Sequence, residues 1–175
     1  MSLRRRVTIG LKAKKTPYEK HCEEVAAFDR HLKSFPPETI PWLTGLFQAD
    51  AYFYSDNRKR SKAEPEDYIA PPPIPKIKLD MIQPDLMDFV GGIVIQNVLP
   101  QARKTSAGND VYRLNIESRS KVQAILTAFQ PYIVGEKTQS KVNELLGYCQ
   151  QYCEWLKDDG KSKAAKRANR ARKPR

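Results

Sequence analysis

Apolar residues recur at helical spacing in three long segments of the chain, which predicts three amphipathic helices. The segments are residues 18–32, the residues between Ser118 and Pro131, and residues 137–156. Serine favours the N-cap of a helix and proline interrupts one, so we expect Ser118 and Pro131 to bound the second helix. A shorter helix is expected after Pro84, with Gly91 and Gly92 ending it.

Alternating apolar and polar residues predict strands between these helices. The strands are expected at about residues 50–59, 76–82, 95–104 and 111–116. In the second of them, Ile77 and Leu79 lie on the inward face, whereas Lys76, Lys78 and Asp80 lie on the outward face. The proline-rich residues 60–75 are expected to form an irregular connection. The order from residue 38 onwards is helix–strand–strand–helix–strand–strand–helix–helix, which predicts one mixed α/β (α+β) domain.

Residues 42–53, Trp-Leu-Thr-Gly-Leu-Phe-Gln-Ala-Asp-Ala-Tyr-Phe, form a helix-to-strand segment of unusual composition. Pro41 suits the first turn of a helix. Gly45 and Ala49 are four residues apart on one helical face, where small side chains let a second helix approach closely. Asp50 follows at the end of this helix, directly before strand-forming residues. The segment therefore predicts a helix that packs against another helix and carries a carboxylate at its tip; the alternative is an ordinary corner with a capping aspartate.

The positive charge of the chain is concentrated at its two ends. The formal net charge is +11. Residues 1–15 carry six Lys or Arg and residues 161–175 carry eight, neither with an acid, so residues 16–160 hold 17 basic and 20 acidic residues. Such ends are usually solvated in isolation and suit an anionic partner, most often nucleic acid. Gly160 is expected to end the last helix before the basic tail, and residues 1–15 alternatively form part of an organelle transit peptide.

Other functional classes find little support in the composition. The longest apolar run, residues 89–95, is far too short to span a membrane. Three cysteines without framework spacing argue against a disulfide scaffold, and Cys149 and Cys153 fit the apolar face of the last helix. A zinc site drawing on His21, Cys22, Cys149 and Cys153 is an alternative that lacks the usual close cysteine pairs.

Residues 38–158 resemble the single-motif LAGLIDADG homing endonucleases. The resemblance rests on Trp42 to Phe53, on the order of the following elements, and on the segments Phe129-Gln130-Pro131-Tyr132 and Glu136-Lys137-Thr138-Gln139. It implies the αββαββαα fold with a four-stranded antiparallel saddle-shaped sheet that lies in the DNA major groove. It also implies a homodimer in which Gly45 and Ala49 contact the partner helix.

The same resemblance implies roles for individual residues. Asp50 matches the metal-binding catalytic carboxylate, with Mg²⁺ as the cofactor of an active enzyme, and Gln83 matches a polar residue that positions solvent. Lys137 would stabilise charge on the scissile phosphate, although the simplest alignment puts Glu136 at that position. Gln48 stands where an acid is common and Ala51 where glycine is usual. Residues expected to contact nucleic acid are Tyr54, Arg58, Arg60, Lys76, Lys78, Gln101, Arg103, Arg113, Asn115, Lys166, Arg167, Arg170 and Arg172.

Two functional hypotheses follow from these patterns. The first is a cleavage-impaired protein of this fold that binds structured RNA as a ribosomal or splicing component, which the basic ends and the altered motif favour. The second is an active, Mg²⁺-dependent, homodimeric endonuclease that cuts double-stranded DNA at a specific site. We expect a basic arm and extra helix at residues 1–37, the main domain at 38–158 and a basic tail at 159–175. The expected location is intracellular, in a mitochondrion or plastid or otherwise in the cytoplasm.

Overall fold

The computed structural model of the chain describes residues 15–56 and 71–171, with side chains described as far as residue 158. The elements are α1 (Pro17–Leu32), α2 (Thr39–Asp50), β1 (Ala51–Asp56), β2 (Ile74–Met81), α3 (Pro84–Ile93), β3 (Val98–Lys104), β4 (Asp110–Ile116), α4 (Arg119–Phe129) and α5 (Glu136–Ala171). A 3-10 turn at Gln130–Tyr132 separates α4 from α5. The element order from α2 onwards confirms the predicted mixed fold.

One face of the sheet is buried under the helices. The strand order is β1-β2-β4-β3, and every neighbouring pair is antiparallel. Ile77 pairs with Ile116 and Leu79 with Leu114, so these side chains share a face. They pack with apolar residues of the surrounding helices: Leu43, Phe47, Met87, Val90, Ile125, Phe129, Val142 and Leu145. Burying each leucine-sized side chain contributes about 2 kcal/mol, so this layer holds the sheet in place.

Helix α1 is an extension that packs on α4 and α5. Thr16 and Glu19 form a reciprocal capping box, in which each side chain accepts a hydrogen bond from the backbone N–H of the other residue. The backbone N–H of Thr16 lowers the pKa of the Glu19 carboxyl. Phe28 and Leu32 are buried in the core, so the extension is integrated into the domain.

Of two predicted helix boundaries, the end of α3 was wrong and the start of α4 at Ser118 was right. Gly91 and Gly92 do not end α3, which continues to Ile93. A Cβ on Gly91 would lie 2.7 Å from the carbonyl oxygen of Gln96, so this glycine permits a close approach of the following chain. Ser118 does occupy the N-cap of α4, but its hydroxyl pairs with the Ser120 hydroxyl at 2.9 Å and forms no side-chain capping hydrogen bond.

The last helix is longer than expected. It was predicted to end at Gly160, but the backbone of α5 continues to Ala171. Alanine, lysine and arginine dominate residues 161–171, and these residues favour helix strongly enough to offset one interior glycine, which costs about 1 kcal/mol. Most of the basic segment that was expected to be a solvated tail is therefore helical in its backbone.

The strand boundaries differ less. The third strand was expected from residue 95 but begins at Val98, because Ile95 adopts a φ of +48°, which belongs to a turn. The predicted end of the first strand, residues 57–59, lies outside the described residues, as does most of the connection at 60–75. Among the described residues, no helix is both long enough and apolar enough to span a membrane.

Candidate nucleic-acid interface

The face of the sheet opposite the helices carries the polar residues of β1, β2 and β4. Tyr52 pairs with Lys78 across β1 and β2, and Lys78 pairs in turn with Asn115 of β4. Asp80 pairs with Arg113 in the same register. Since inward Ile77 and Leu79 alternate with these positions, the register confirms that Lys76, Lys78 and Asp80 point away from the core. We call this surface the outer sheet face.

Asp80 is the centre of an ion cluster on the outer sheet face. Its side chain is 8% exposed. Arg113 donates from Nε to Oδ1 at 2.7 Å and from Nη2 to Oδ2 at 2.9 Å. Arg103 donates from Nη2 to Oδ2 at 2.6 Å, and the Lys78 ammonium lies 3.3 Å from the same oxygen. Three cations from three strands thus surround one carboxylate and leave a local charge of +2.

These contacts shift the pKa values of Asp80 and Arg113. The hydrogen bonds from Arg113, followed by burial and the contact with Lys78, set the pKa of Asp80, and the net effect is to lower it. The Asp80 carboxylate in turn raises the pKa of Arg113. Both groups are therefore held in their charged forms, and the excess positive charge on the outer sheet face is permanent near neutral pH.

Lys76 forms a second, neutralised cluster at the edge of the same face. Its ammonium lies 2.7 Å from Asp56 and 3.0 Å from Glu117, and these hydrogen bonds raise its pKa. Both carboxylates are more than half exposed. Because two acids face one cation, this end of the outer sheet face offers no excess positive charge.

The remaining predicted contact residues are distributed unevenly. Tyr54 is half-buried on β1, and the Gln101 amide donates to the carbonyls of Leu99 and Pro100 on its own strand. The Asn115 side-chain oxygen is buried and has no hydrogen-bond partner among the described residues. Arg58, Arg60 and Arg172 lie outside the described residues. Lys166, Arg167 and Arg170 lie within α5, whose side chains are not described there.

Sequence reasoning missed Tyr52, which is 64% exposed on the outer sheet face. The Lys78 ammonium lies 5.5 Å from the centre of its ring, which is a cation–π geometry. Tyr52 has the same strand parity as Tyr54, so strict alternation along β1 would have identified it.

The tip of α2 is tied to the segment that enters α5. The Gln48 side-chain amide donates to the carbonyl of Val134, and the Val134 N–H donates back to Gln48 Oε1 at 3.0 Å. Gly135 follows with a φ of +101°, which only glycine adopts readily. Asp50 and Glu136 each lie two residues beyond this pair of hydrogen bonds.

The three predicted catalytic side chains lie at the ends of three elements. Asp50 ends α2, Gln83 is the N-cap of α3, and Lys137 is the second residue of α5. All three are exposed. Within residues 15–56 and 71–158, Asp50 has no ion-pair partner within 4.0 Å, and no hydrogen bond joins these three side chains. Glu136 is the first residue of α5, where the positive end of the helix dipole stabilises a carboxylate.

One face of α2 is exposed. Leu43, Thr44 and Phe47 are buried on the opposite face, whereas Gly45 and Ala49 are exposed. A Cβ on Gly45 would meet no described neighbour within 4 Å, so the helix expected beside it is not supplied by the described part of this chain. Trp42 is 43% exposed on the same side of α2, and its ring lies 5.8 Å from that of Phe89.

The described residues contain no complete metal-ligand set. No group of three or more His, Cys, Asp or Glu side chains comes together in residues 15–56 and 71–158. Asp50 is exposed and has no ion-pair partner in these ranges, so it fits a single oxygen ligand for a hard cation. A second carboxylate or phosphate oxygens would be needed to complete a site.

The cysteines do not support the zinc alternative. Cys149 is buried, and burial raises its pKa to about 12. Cys22 is exposed, and the His21 ring pairs with Gln123 at 2.9 Å. Cys149 therefore belongs to the core, as predicted, and Cys153 is half-buried beside it.

Comparison with described protein families and with curated proteins finds no match. Among solved structures, the chain is similar to the group I intron-encoded homing endonuclease I-CeuI complexed with DNA, with a TM-score of 0.51, 12% identity, and coverage of 81% of this chain and 78% of that one. It is also similar to the LAGLIDADG meganuclease I-CpaMI bound to uncleaved DNA, with a TM-score of 0.50, 17% identity and coverage of 69% and 41%.

A third similar structure is the homing endonuclease I-CvuI in complex with its target, with a TM-score of 0.45, 17% identity and coverage of 63% of this chain. The chain spans 65% of the length of I-CvuI and less than half of I-CpaMI. At these identities the similarity concerns the fold, which agrees with the four-stranded antiparallel sheet and its order of helices. The chain has the fold of the LAGLIDADG homing endonucleases.

Proposed function

We propose that this chain binds duplex DNA through the outer sheet face and is impaired in cleavage. The observation that carries the proposal is the Asp80 cluster, where three cations surround one carboxylate on a face that the helices leave uncovered. An excess of fixed positive charge beside polar strand residues suits a polyanion. The two similar structures described above with TM-scores of 0.50 and 0.51 are both DNA complexes.

The shape of the face favours DNA over RNA. The major groove of B-DNA is wide enough to admit strands, whereas the major groove of an RNA helix is too deep and narrow for side chains to read. The RNA-binding, ribonucleoprotein role was predicted from the basic ends and the altered motif, and the side chains of residues 1–14 and 161–175 are not described. It therefore has no support from the described contacts, and we make RNA binding an outcome of the test.

Binding is tested by fluorescence anisotropy with a duplex DNA and a base-paired RNA of equal length over a range of NaCl concentrations. The variant Lys78→Gln/Arg113→Gln should bind DNA more weakly, and the slope of log affinity against log salt should fall by about 0.9 for each phosphate that the variant no longer neutralises. The matched control is Lys20→Gln/Arg30→Gln, which removes the same charge from exposed positions of α1.

Equal losses of affinity in the two double variants would contradict binding through the outer sheet face. Tighter binding of RNA than of DNA by the wild-type protein would contradict the choice of DNA and support the ribonucleoprotein role. Absence of binding to either probe would overturn the proposal as a whole.

Impaired cleavage is proposed on the residues around the tip of α2. Asp50 from each of two copies would hold a divalent metal such as Mg²⁺, which supplies Lewis-acid activation of a phosphate when bound. The first residue of α5 is Glu136, and a carboxylate there repels a phosphate that this chemistry needs to have neutralised. Gln48, at the usual position of an acid, is instead engaged with the backbone of Val134.

The alternative function, an active endonuclease, is favoured by one observation: the Asp50 carboxylate is exposed and has no ion-pair partner among the described residues. To distinguish the two, duplexes that the protein binds are incubated with it and Mg²⁺ and analysed for strand breaks. We expect no breaks above background and no effect of Asp50→Asn. Cutting by the wild-type protein that Asp50→Asn abolishes without loss of binding would establish the endonuclease.

A further inference from the structure

The contacts of Asp80 restrict the orientation of Arg113. The guanidinium uses Nε and Nη2 for Asp80, so one edge of the planar group is occupied. Nη1 makes no hydrogen bond among the described residues. A guanidinium held along one edge presents its other edge in a fixed direction, since the group is planar and rigid.

The environment of the carboxylate explains why the arrangement is persistent. Asp80 is 8% exposed and Arg113 is 24% exposed, so water competes little with their two hydrogen bonds. Arg103 from β3 and Lys78 from Asp80's own strand both contact Oδ2, the oxygen that also accepts from Arg113 Nη2. Bidentate charge-assisted hydrogen bonds of this kind fix both position and direction.

The cluster has more positive charge than internal pairing requires. One arginine satisfies one carboxylate, yet Lys78 and Arg103 are held at the same site, with Arg103 59% exposed. Like charges gathered around a single acid repel one another unless a further anion or strong acceptor is supplied. Guanine supplies two such acceptors in the major groove, O6 and N7, and a bidentate arginine is its commonest specific partner.

We infer that Asp80 is a positioning residue that fixes Arg113 to read a guanine in the major groove of duplex DNA. In this arrangement Lys78 and Arg103 flank the contact and neutralise phosphates. The inference rests on the proposed function, because it assigns a base contact to the surface proposed to bind DNA.

Asp56 provides a charge-matched control on the same face. It is 53% exposed and contacts the Lys76 ammonium, so Asp56→Asn also removes one negative charge. It does not contact Arg113. Both substitutions should therefore strengthen non-specific binding, whereas Asp80→Asn alone should release the guanidinium.

The experiment begins with a pool of DNA duplexes carrying a randomised central segment, from which the wild-type protein selects its preferred sequence. Duplexes with each of the four base pairs at every selected position are then compared by anisotropy. We expect one position with a strong preference for guanine, and a roughly tenfold lower preference there in Asp80→Asn but not in Asp56→Asn. Arg113→Lys keeps the charge but lacks the fork, so it should weaken the same preference.

The Nε–H signal of Arg113 in ¹⁵N NMR provides a readout without DNA. It should be observable in the wild-type protein and in Asp56→Asn, and broadened by solvent exchange in Asp80→Asn. Thermal unfolding verifies that each variant is folded; if Asp80→Asn does not fold, Arg113→Lys tests the guanine contact, and the Arg113 Nε–H signal of the wild-type protein tests its fixed orientation.

Sequence-specific binding in which Asp80→Asn and Asp56→Asn keep the same guanine preference would overturn the inference while leaving DNA binding intact. Binding without any base preference would do the same. A wild-type protein that binds no duplex at all would overturn the proposed function and this inference together.

Discussion

At the scale of the residue, Gln48 shows how a side chain at a motif position can have a structural role. Its amide both donates to and accepts from the backbone of Val134, so it closes a ring of two hydrogen bonds. An aspartate at this position could accept from the N–H but would place its other oxygen near the Val134 carbonyl. The residue that departs from the motif therefore stabilises the junction between α2 and α5.

We expect Gln48→Ala to lower the free energy of unfolding by about 1–2 kcal/mol, because it removes two neutral hydrogen bonds at a half-buried site. Urea unfolding followed by circular dichroism measures the difference. Gln150→Ala, at an exposed position of α5, is the control and should change stability by less than about 0.5 kcal/mol. Equal stability of the two variants would mean that the Gln48 hydrogen bonds contribute nothing net.

The outward positions of β2 were predictable residue by residue, but their partners were not. Alternation alone placed Lys78 and Asp80 away from the core, and the register confirms it. The meeting of Asp80 with Arg113 and Arg103 depends on β4 lying between β2 and β3. It also depends on a register shift between Pro100 and Lys104, which no local pattern in the sequence encodes.

At the scale of the element, helix α3 contains two adjacent glycines, of which only Gly91 is closely packed against the following chain. Gly91 lies beneath the chain that returns to β3: its added Cβ would be 2.7 Å from Gln96 O and 3.0 Å from Val98 Cγ2. Gly92 would meet nothing within 4 Å, and neither glycine has a positive φ. The pair therefore tests packing and helix propensity at adjacent positions of one helix.

We expect Gly91→Ala to destabilise the protein by roughly 1–3 kcal/mol, because a backbone oxygen must move to admit the methyl group. Gly92→Ala should instead stabilise it by about 0.5–1 kcal/mol through reduced backbone entropy in the unfolded chain. The two midpoints of thermal unfolding, measured side by side, should shift in opposite directions. Shifts of the same sign would show that the approach of Gln96 to α3 is not as tight as described.

The Gly91–Gly92 pair also explains an error of sequence reasoning. Two successive glycines resemble a helix stop, since glycine favours the C′ position. Here the glycines lie inside the helix because of tertiary packing: only glycine at position 91 allows the following chain to turn back closely over α3. The same limit applies at Gly160, where helix-forming residues on both sides continue α5.

At the scale of the whole molecule, the order of elements was predictable from periodicity because each long helix has a strong apolar stripe. The packing of α1 was harder to predict from the sequence. Its apolar stripe shows that the helix is amphipathic but does not show which helices it packs on. Its contacts with α4 and α5 make the described extension part of the same core. What periodicity cannot specify is the surface that remains exposed after folding.

That exposed surface includes the side of α2 that carries Trp42, Gly45 and Ala49. Small residues next to an exposed aromatic residue form a flat, apolar surface on which a second copy of the same helix could pack closely. A two-fold arrangement would also bring the tips of two α2 helices together, and with them two Asp50 carboxylates. We therefore expect the protein to form a homodimer through α2.

Gly45→Arg tests this arrangement, because the monomer has open space at that position. We expect the wild-type protein to sediment as a dimer at micromolar concentration and the variant as a folded monomer, since the long charged side chain prevents close approach of the helices. The helix itself should not suffer, because arginine has a higher helix propensity than glycine by nearly 1 kcal/mol. Gly147→Arg is the matched control, because Gly147 lies in α5 with the same open space, and it should leave the dimer unchanged. A wild-type protein that is monomeric across the concentration range, or a Gly45→Arg variant that still dimerises, would show that two copies do not meet along α2.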